Sequence, residues 1–277
     1  MSLDVFAIIL LGAALHATWN AVVKGGADKL LTTCMIASVA SLIALTTVPF
    51  LEPPARGSWP FIGASVVFQV LYFALIASTY RVADMSQTYP IMRGTAPLLV
   101  ATVSVLLLSE ALSAFAWLGI AIISLGILSM AAVPSAGSRK GVVLALINAG
   151  VIAGYTLIDG VGVRKSSAPA AYTLWIFLLT GIPLCAWALA TQRGVFIEYV
   201  RRHWHLGVVG GFGTLASYGL ALWAMTAAPI ATVSALRETS ILFGVVICAW
   251  VLKEHLTRAR LLAACIIAGG AMVLRLG

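Results

Sequence analysis

The sequence predicts an all-α integral membrane protein with ten transmembrane helices, arranged as two inverted five-helix repeats. Three observations predict this fold: a composition of 61% apolar and 9% charged residues, ten apolar runs of membrane-spanning length, and an internal repeat at an offset of 144 positions. A soluble domain carries about 25% charged residues. The 277-residue chain therefore has too few charges for a water-facing surface, which excludes soluble enzymes, secreted disulfide scaffolds and disordered proteins.

The ten predicted spans follow from the length of the apolar runs. A helix rises about 1.5 Å per residue and the hydrocarbon core is about 30 Å thick, so a span needs about 20 mostly apolar residues. Such runs lie at 4–23, 31–50, 60–79, 86–108, 113–133, 141–160, 169–191, 205–226, 229–252 and 257–276. The first run lacks the basic start of a signal peptide, so we expect it to remain as a helix.

The basic residues are distributed unevenly between the two sides of the membrane. Four Lys and Arg fall in the segments on the side of the termini, and eleven fall on the other side. The positive-inside rule makes the basic side cytoplasmic, which predicts a multi-pass protein of the cell inner membrane with both termini outside. The net charge of +8 comes from Lys and Arg residues that occur singly or in pairs between apolar runs. This pattern does not favour a nucleic-acid partner.

The internal repeat aligns residues 81–127 with 225–271. It pairs Arg93 with Arg237 and Glu110 with Glu254, and matched charges are rarer than matched apolar residues in a membrane sequence. Five spans per half mean that the second copy enters the membrane upside down, as in many secondary transporters. The sequence thus predicts repeats at 1–137 and 138–277, with a site between them near the midplane.

Several motifs carry a resemblance to a known family. They comprise Trp19-Asn20, Arg93-Gly94-Thr95-Ala96-Pro97-Leu98, Glu110, Arg237-Glu238-Thr239-Ser240 and Glu254-His255-Leu256. With these motifs, essentially the whole chain resembles the drug/metabolite transporter superfamily, specifically its EamA-type ten-helix members. The resemblance implies a transporter of small metabolites, such as amino acids, sugars or nucleotide sugars, and not an enzyme. Models of that family often place both termini in the cytoplasm, in contrast to the charge count.

Arg93 and Arg237 are the leading candidates for substrate binding. An ionisable group at mid-membrane depth costs about 2.5–3.5 kcal/mol on insertion scales and therefore needs a cavity or a partner. A guanidinium matches a carboxylate or phosphate in a two-point fork, so both arginines are predicted to bind an anionic group. The alternative is that they bind backbone carbonyls exposed near Pro90, Pro97 and Pro229.

Two acidic residues are candidates for substrate binding or proton coupling. Glu238 can bind a substrate ammonium, carry a coupling proton, or pair with Arg93. Asp159 is the leading proton-coupling candidate, but its position near the end of the sixth span also allows a solvated or capping carboxylate.

Polar and aromatic residues complete the predicted substrate site. His16, Trp19 and Asn20 lie on one side of the first span, and Tyr155 takes a corresponding position in the sixth span. For His16 the alternative is a buried, hydrogen-bonded side chain that does not contact the substrate. The remaining predicted contacts are Tyr72 and Tyr89.

Other conspicuous residues are assigned to structure. Tyr218 and Trp223 are expected to be packing or interface aromatics. Glu110 and Glu254 are expected to be structural, with Ser113 and Thr257 as caps of the helices that follow.

The predicted function is secondary active export of a small polar metabolite with an anionic group, such as an amino acid, by alternating access. Proton coupling is an open option, and the expected partners are the substrate and membrane lipids, with no cofactor or metal. The protein is expected to be a monomer or a homodimer. Two alternatives remain: a lipid-intermediate flippase of the same superfamily, and a non-transporting membrane enzyme or assembly subunit.

Overall fold

A computed structural model describes residues 1–132, 139–250 and 257–276. The predicted repeat boundary at 137/138 and the predicted structural residue Glu254 lie outside these ranges. The described residues contain ten α-helices and no strands. Three short 3₁₀ turns lie at Val48–Phe50, Arg56–Ser58 and Met130–Ala132. The helices are α1 Leu3–Gly25, α2 Lys29–Thr47, α3 Trp59–Tyr80, α4 Met85–Leu108, α5 Ala114–Ser129, α6 Arg139–Ser166, α7 Pro169–Ala227, α8 Ile230–Arg237, α9 Ser240–Trp250 and α10 Arg258–Leu276.

The predicted all-α membrane class is confirmed. Within the described ranges, eight helical segments are long and apolar enough to cross a membrane, with α8 and α9 together forming one of them. α5 is apolar but has only 16 residues. α7 has 59 residues and would be about 88 Å long if straight. Its backbone leaves helical geometry at Gln192 and His203, and it contains both the seventh and the eighth predicted spans. The count of ten spans stays a prediction.

Side-chain caps fix the beginnings of several helices. The Asp28 carboxylate accepts hydrogen bonds from the backbone N–H groups of Leu30 and Leu31 at 2.9 and 3.0 Å, and so caps α2. Ser113 accepts from the backbone N–H of Ala116 at the start of α5, and Thr257 accepts from that of Arg260 in α10. These bonds satisfy donors that a helix start leaves unpaired, and both predicted caps are confirmed.

Small residues set the closest helix contacts. α5 and α10 approach each other at Gly119 and Gly270, where an added Cβ on Gly119 would lie 2.9 Å from the backbone oxygen of Gly270. α7 approaches α2 in the same way at Gly207 and Gly211, next to Val39. Without a hydrophobic driving force between helices in lipid, close packing of this kind holds the bundle together.

The centre of the molecule is formed by α4, α6 and α8. α4 packs against α5, α6 and α8, while α6 also packs against α3 and α7, and α1 contacts α7, α8 and α9. Three charged side chains are buried in this centre: Arg93 of α4, Asp159 of α6 and Glu238 directly after α8. The surrounding helices therefore enclose three charged side chains in the packed centre of the bundle.

Candidate functional site

A buried ion pair joins α4 to the end of α8. The guanidinium of Arg93 donates from Nε to Oε2 of Glu238 at 2.9 Å, and its second nitrogen lies 2.9 Å from Oε1. Arg93 is 6% exposed and Glu238 5% exposed. This two-point fork is the strongest geometry available to the pair. Of the three alternatives for Glu238, the structure therefore shows the ion pair with Arg93. Arg93 binds this carboxylate, and not a backbone carbonyl exposed near a proline.

Glu238 lies at a break in a membrane-spanning segment. α8 ends at Arg237 and α9 begins at Ser240. Across the break, the N–H of Glu238 bonds to the carbonyl of Ala235 at 3.0 Å, and that of Thr239 bonds to Leu236 at 3.0 Å. These are three-residue spacings, so the helix tightens to a 3₁₀ turn. The backbone stays right-handed through this turn, with φ −68° and ψ −14° at Glu238, so the span is tightened locally and not unwound.

Arg237 is held differently from Arg93. Its guanidinium carbon lies 4.9 Å from the centre of the Tyr218 ring, within the range of a cation–π contact. Among the residues that the structure describes, Arg237 has no carboxylate within ion-pair distance. The side chain is half-buried. Within the described ranges, the Arg237 guanidinium therefore differs from that of Arg93, which a carboxylate holds.

Asp159 is enclosed by three hydroxyl donors. Ser65 of α3 donates to Oδ2 at 2.9 Å, Tyr172 of α7 donates to Oδ1 at 3.2 Å, and Tyr218 of α7 also donates to Oδ2. The residue is 0% exposed, and α6 continues beyond it to Ser166. The alternative of a solvated or capping carboxylate is therefore wrong, because the helix extends past the predicted end of the sixth span.

Aromatic rings pack next to Tyr218, which contacts both Asp159 and Arg237. Tyr155 packs edge-on against Tyr72 at 6.1 Å and against Tyr218 at 6.5 Å between ring centres. Tyr89 lies one turn before Arg93 and packs against the same core. Tyr72 and Tyr155 therefore form a row of rings with Tyr218, and substrate contact by Tyr72, Tyr89 and Tyr155 stays a prediction.

The polar residues of α1 are mostly bonded within their own helix. Trp19 donates from Nε1 to Nδ1 of His16 at 3.3 Å, and Asn20 donates from Nδ2 to the backbone oxygen of His16 at 2.8 Å. His16 is half-buried, and its ring packs edge-on against Trp19 at 5.2 Å between centres. The contacts of His16, Trp19 and Asn20 described here stay within α1, and their binding of substrate stays a prediction.

Sequence reasoning missed Ser65, Tyr172 and Tyr218. Tyr218 was expected to be a packing aromatic, yet its hydroxyl bonds Asp159 and its ring contacts Arg237. A signal for it existed: a phenol hydroxyl inside an apolar span needs a polar partner, because lipid offers none. Trp223 is 40% exposed, in keeping with an interface aromatic.

A second ion pair lies at the end of the bundle near the termini. Glu110 accepts hydrogen bonds from the backbone N–H of Ile230 at 3.0 and 3.1 Å, and lies 2.7 Å from Arg164. Arg164 also donates to the backbone oxygens of Met225 and Ala228 at 2.7 and 2.9 Å. Glu110 thus caps α8 and connects the loop after α4 to α6 and α7, which agrees with a structural role.

Two cavities lie away from the charged centre. One of about 280 Å³ adjoins the Glu110 contacts and is lined by residues that include Ser113, Pro229 and Thr232. The other, of about 500 Å³, is a wholly apolar groove between α1 and α7 whose lining includes Leu15 and Phe212. Within the described ranges, no cluster of His, Cys, Asp and Glu is arranged to hold a metal.

Comparison with known proteins decides the family. Residues 139–276 match the family model described as the EamA-like transporter family. The chain belongs to this family. The match places this EamA-like protein in the drug/metabolite transporter superfamily and confirms the resemblance found in the sequence. As a member, it is a multi-pass membrane protein of a transporter family, with a small-molecule substrate and membrane lipids as the implied partners.

The fold of the EamA-like protein is also found among solved structures. One crystal structure aligns with 100% of this chain and 98% of its own chain, at a TM-score of 0.78 and 17% sequence identity. At this identity the likeness concerns the fold alone. No curated protein matches the sequence significantly.

Proposed function

We propose that this EamA-like protein is a secondary active transporter that exports a small polar metabolite bearing an anionic group, with an amino acid as the first candidate. The observation that carries the proposal is the contrast between the two arginines. Arg93 is neutralised by Glu238, whereas Arg237 lies at a break in a span with an aromatic ring as its contact. A guanidinium that rests on a ring and is not held by a carboxylate is suited to bind a carboxylate or phosphate of the substrate.

Asp159 is proposed to carry the coupling proton. It is a buried carboxylate held by three hydroxyl groups, and no lysine or arginine of the described residues forms an ion pair with it, so it can exist with or without a proton. Glu238, the other proton-coupling candidate, is engaged by the Arg93 fork. We therefore assign Glu238 to holding Arg93 and the turn between α8 and α9.

Alternating access is proposed to operate between the two halves of the chain. The inverted arrangement inferred from the sequence puts the site between the repeats, and rocking of one half against the other exposes it to each side in turn. The charge asymmetry supports an inner-membrane location with the termini outside. Family membership favours transport over catalysis.

A lipid flippase is a second candidate, favoured by the apolar groove of about 500 Å³ between α1 and α7. A lipid substrate needs a cavity that opens sideways to the bilayer, and this groove is lined by residues such as Leu11, Phe212 and Leu220. Thermal-shift measurements on the detergent-solubilised protein distinguish the candidates. Stabilisation by amino acids supports the main proposal. Stabilisation by organic phosphates changes the proposed substrate from an amino acid to a phosphate-bearing metabolite, and stabilisation by polyprenyl phosphates supports the flippase.

The direct test is transport by Arg237→Ala. In proteoliposomes containing a radiolabelled mixture of the standard amino acids, we expect exchange to fall about 10- to 100-fold, the loss of one or two charge-assisted hydrogen bonds. Arg202→Ala is the matched control, because Arg202 is exposed and pairs with Glu198 one turn away. Unchanged exchange by Arg237→Ala would contradict the assignment of this residue to substrate binding.

A further inference from the structure

Tyr218 touches two charged groups that belong to different helices. Its hydroxyl donates to Asp159 on α6, and its ring face lies 4.9 Å from the guanidinium carbon of Arg237 on α8. The rings of Tyr155 and Phe177 pack edge-on against it, at 6.5 and 6.0 Å between centres. The side chain is 8% exposed. The ring therefore has little room to move unless both charged contacts change.

Other groups around Asp159 lack this double contact. Ser65 of α3 and Tyr172 of α7 donate to the carboxylate, but no contact of either with an arginine is found in the described part of the chain. Of the other ionisable groups nearby, Tyr155 lies one turn before Asp159 on α6, and Arg237 of α8 lies on the ring of Tyr218. These are the titratable and charged groups that face it. Tyr218 alone among the described residues joins the carboxylate to the arginine by direct contact.

The double contact has a mechanical consequence. A hydrogen bond to a charged carboxylate is roughly twice as strong as one to a neutral group. When Asp159 takes up a proton, the bond that anchors the Tyr218 hydroxyl weakens. The ring on which Arg237 rests is then held less firmly, and the position of the guanidinium changes with it.

We infer that Tyr218 is the positioning residue that couples proton transfer at Asp159 to substrate binding at Arg237. This inference rests on the proposed function and deepens it, because it assigns the link between the two sites to one phenol. The hydroxyl serves the carboxylate, and the ring serves the arginine. Removing the hydroxyl and removing the ring should therefore have different effects.

The test compares Tyr218→Phe with Tyr218→Leu in proteoliposomes loaded with the radiolabelled amino-acid mixture. Two rates are measured: exchange without a pH gradient, and net flux with a pH gradient imposed. Tyr218→Phe keeps the ring under Arg237 but removes its anchor on Asp159, so exchange is expected to continue with a changed apparent affinity for the amino acids, while the stimulation by the gradient is lost. Tyr218→Leu is expected to lose both. Tyr199→Phe is the control and should behave as the wild type, because Tyr199 packs in a separate cluster with α2 and bonds Thr32.

Each alternative outcome has a distinct meaning. If Tyr218→Phe responds to the gradient as the wild type does, the inference is overturned and the proposed function stands. If Tyr172→Phe loses the response equally, any donor to Asp159 suffices and the inference is likewise overturned. If the wild type exchanges amino acids without responding to the gradient, proton coupling and this inference fail together.

A second variant covers the case in which Tyr218→Phe does not fold. Difluorotyrosine incorporated at position 218 keeps the ring and the hydroxyl group but makes the hydroxyl more acidic. The pH dependence of amino-acid exchange should then shift relative to the wild type, and an unchanged profile would overturn the inference.

Discussion

Arg93 and Glu238 show how two buried charges can be tolerated at the centre of a membrane protein. Each group would be costly alone, but the two-point fork satisfies both. The pair also joins the first half of the sequence to the second, since Arg93 belongs to α4 and Glu238 follows α8. The sequence alone predicts loss of transport with intact expression for Arg93→Ala. The ion pair changes this expectation.

Removal of Arg93 alone is expected to destabilise the protein. Arg93→Ala leaves the Glu238 carboxylate buried without its partner, which costs about 3–5 kcal/mol. The double variant Arg93→Met with Glu238→Leu leaves no unpaired charge and should recover most of that loss in thermal unfolding of the detergent-solubilised protein. Glu198→Gln, which breaks the exposed pair with Arg202, is the control and should change stability by less than about 1 kcal/mol. A double variant no more stable than Arg93→Ala would contradict this account.

The residue types of the site could be predicted from the sequence better than their partners. Charges are so rare in the spans that Arg93, Asp159, Arg237 and Glu238 stand out directly. Which of them pair depends on the rotation and depth of separate helices, and no local pattern encodes that. Tyr218 shows the limit, because its role comes from two contacts on other helices.

At the scale of the elements, helix existence was predictable and helix interruption was not. The run 229–252 is continuous in hydropathy, but the structure divides it into α8 and α9. Neither Gly nor Pro marks the break. Instead, the hydroxyl of Thr239 donates to the backbone oxygen of Leu236 at 2.6 Å. A side chain that bonds the backbone in this way competes with the regular helical pattern.

The contact between α5 and α10 gives a prediction with a matched control one residue away. An added Cβ on Gly270 would lie 2.7 Å from Ile123 and 3.0 Å from the backbone oxygen of Gly119, whereas one on Gly269 meets nothing within 4 Å. Gly270→Ala should therefore lower the free energy of unfolding by about 1–3 kcal/mol, as expected for overpacking, and so lower the melting temperature. Gly269→Ala should leave it unchanged or raise it slightly, since alanine is the better helix former. Equal melting temperatures for the two variants would show that the α5–α10 contact is looser than the structure indicates.

At the scale of the whole molecule, the Glu110–Arg164 pair and the Arg93–Glu238 pair both join the first half of the chain to the second. The Glu110–Arg164 pair connects the loop after α4 to the ends of α6 and α7 and to the start of α8. These contacts close the end of the bundle near the termini, directly beside the cavity of about 280 Å³. Under alternating access, the halves must separate at this end when it opens, so this pair has to break.

Weakening the Glu110–Arg164 pair should therefore favour the state that is open near the termini. Glu110→Gln loses the charge on the group that holds Arg164 and caps α8, at a cost of about 1.5 kcal/mol, which corresponds to a roughly tenfold higher population of the open state. Thr232 lines the adjacent cavity and is 6% exposed, so a cysteine there reports on the opening. In a background without the four native cysteines, a water-soluble maleimide should label Thr232→Cys about ten times faster when Glu110→Gln is also present. Glu198→Gln, at the exposed pair with Arg202, should leave the labelling rate unchanged. Equal rates with and without Glu110→Gln would mean that this pair does not restrain the closed end, and that the opening is limited by the central helices α4, α6 and α8.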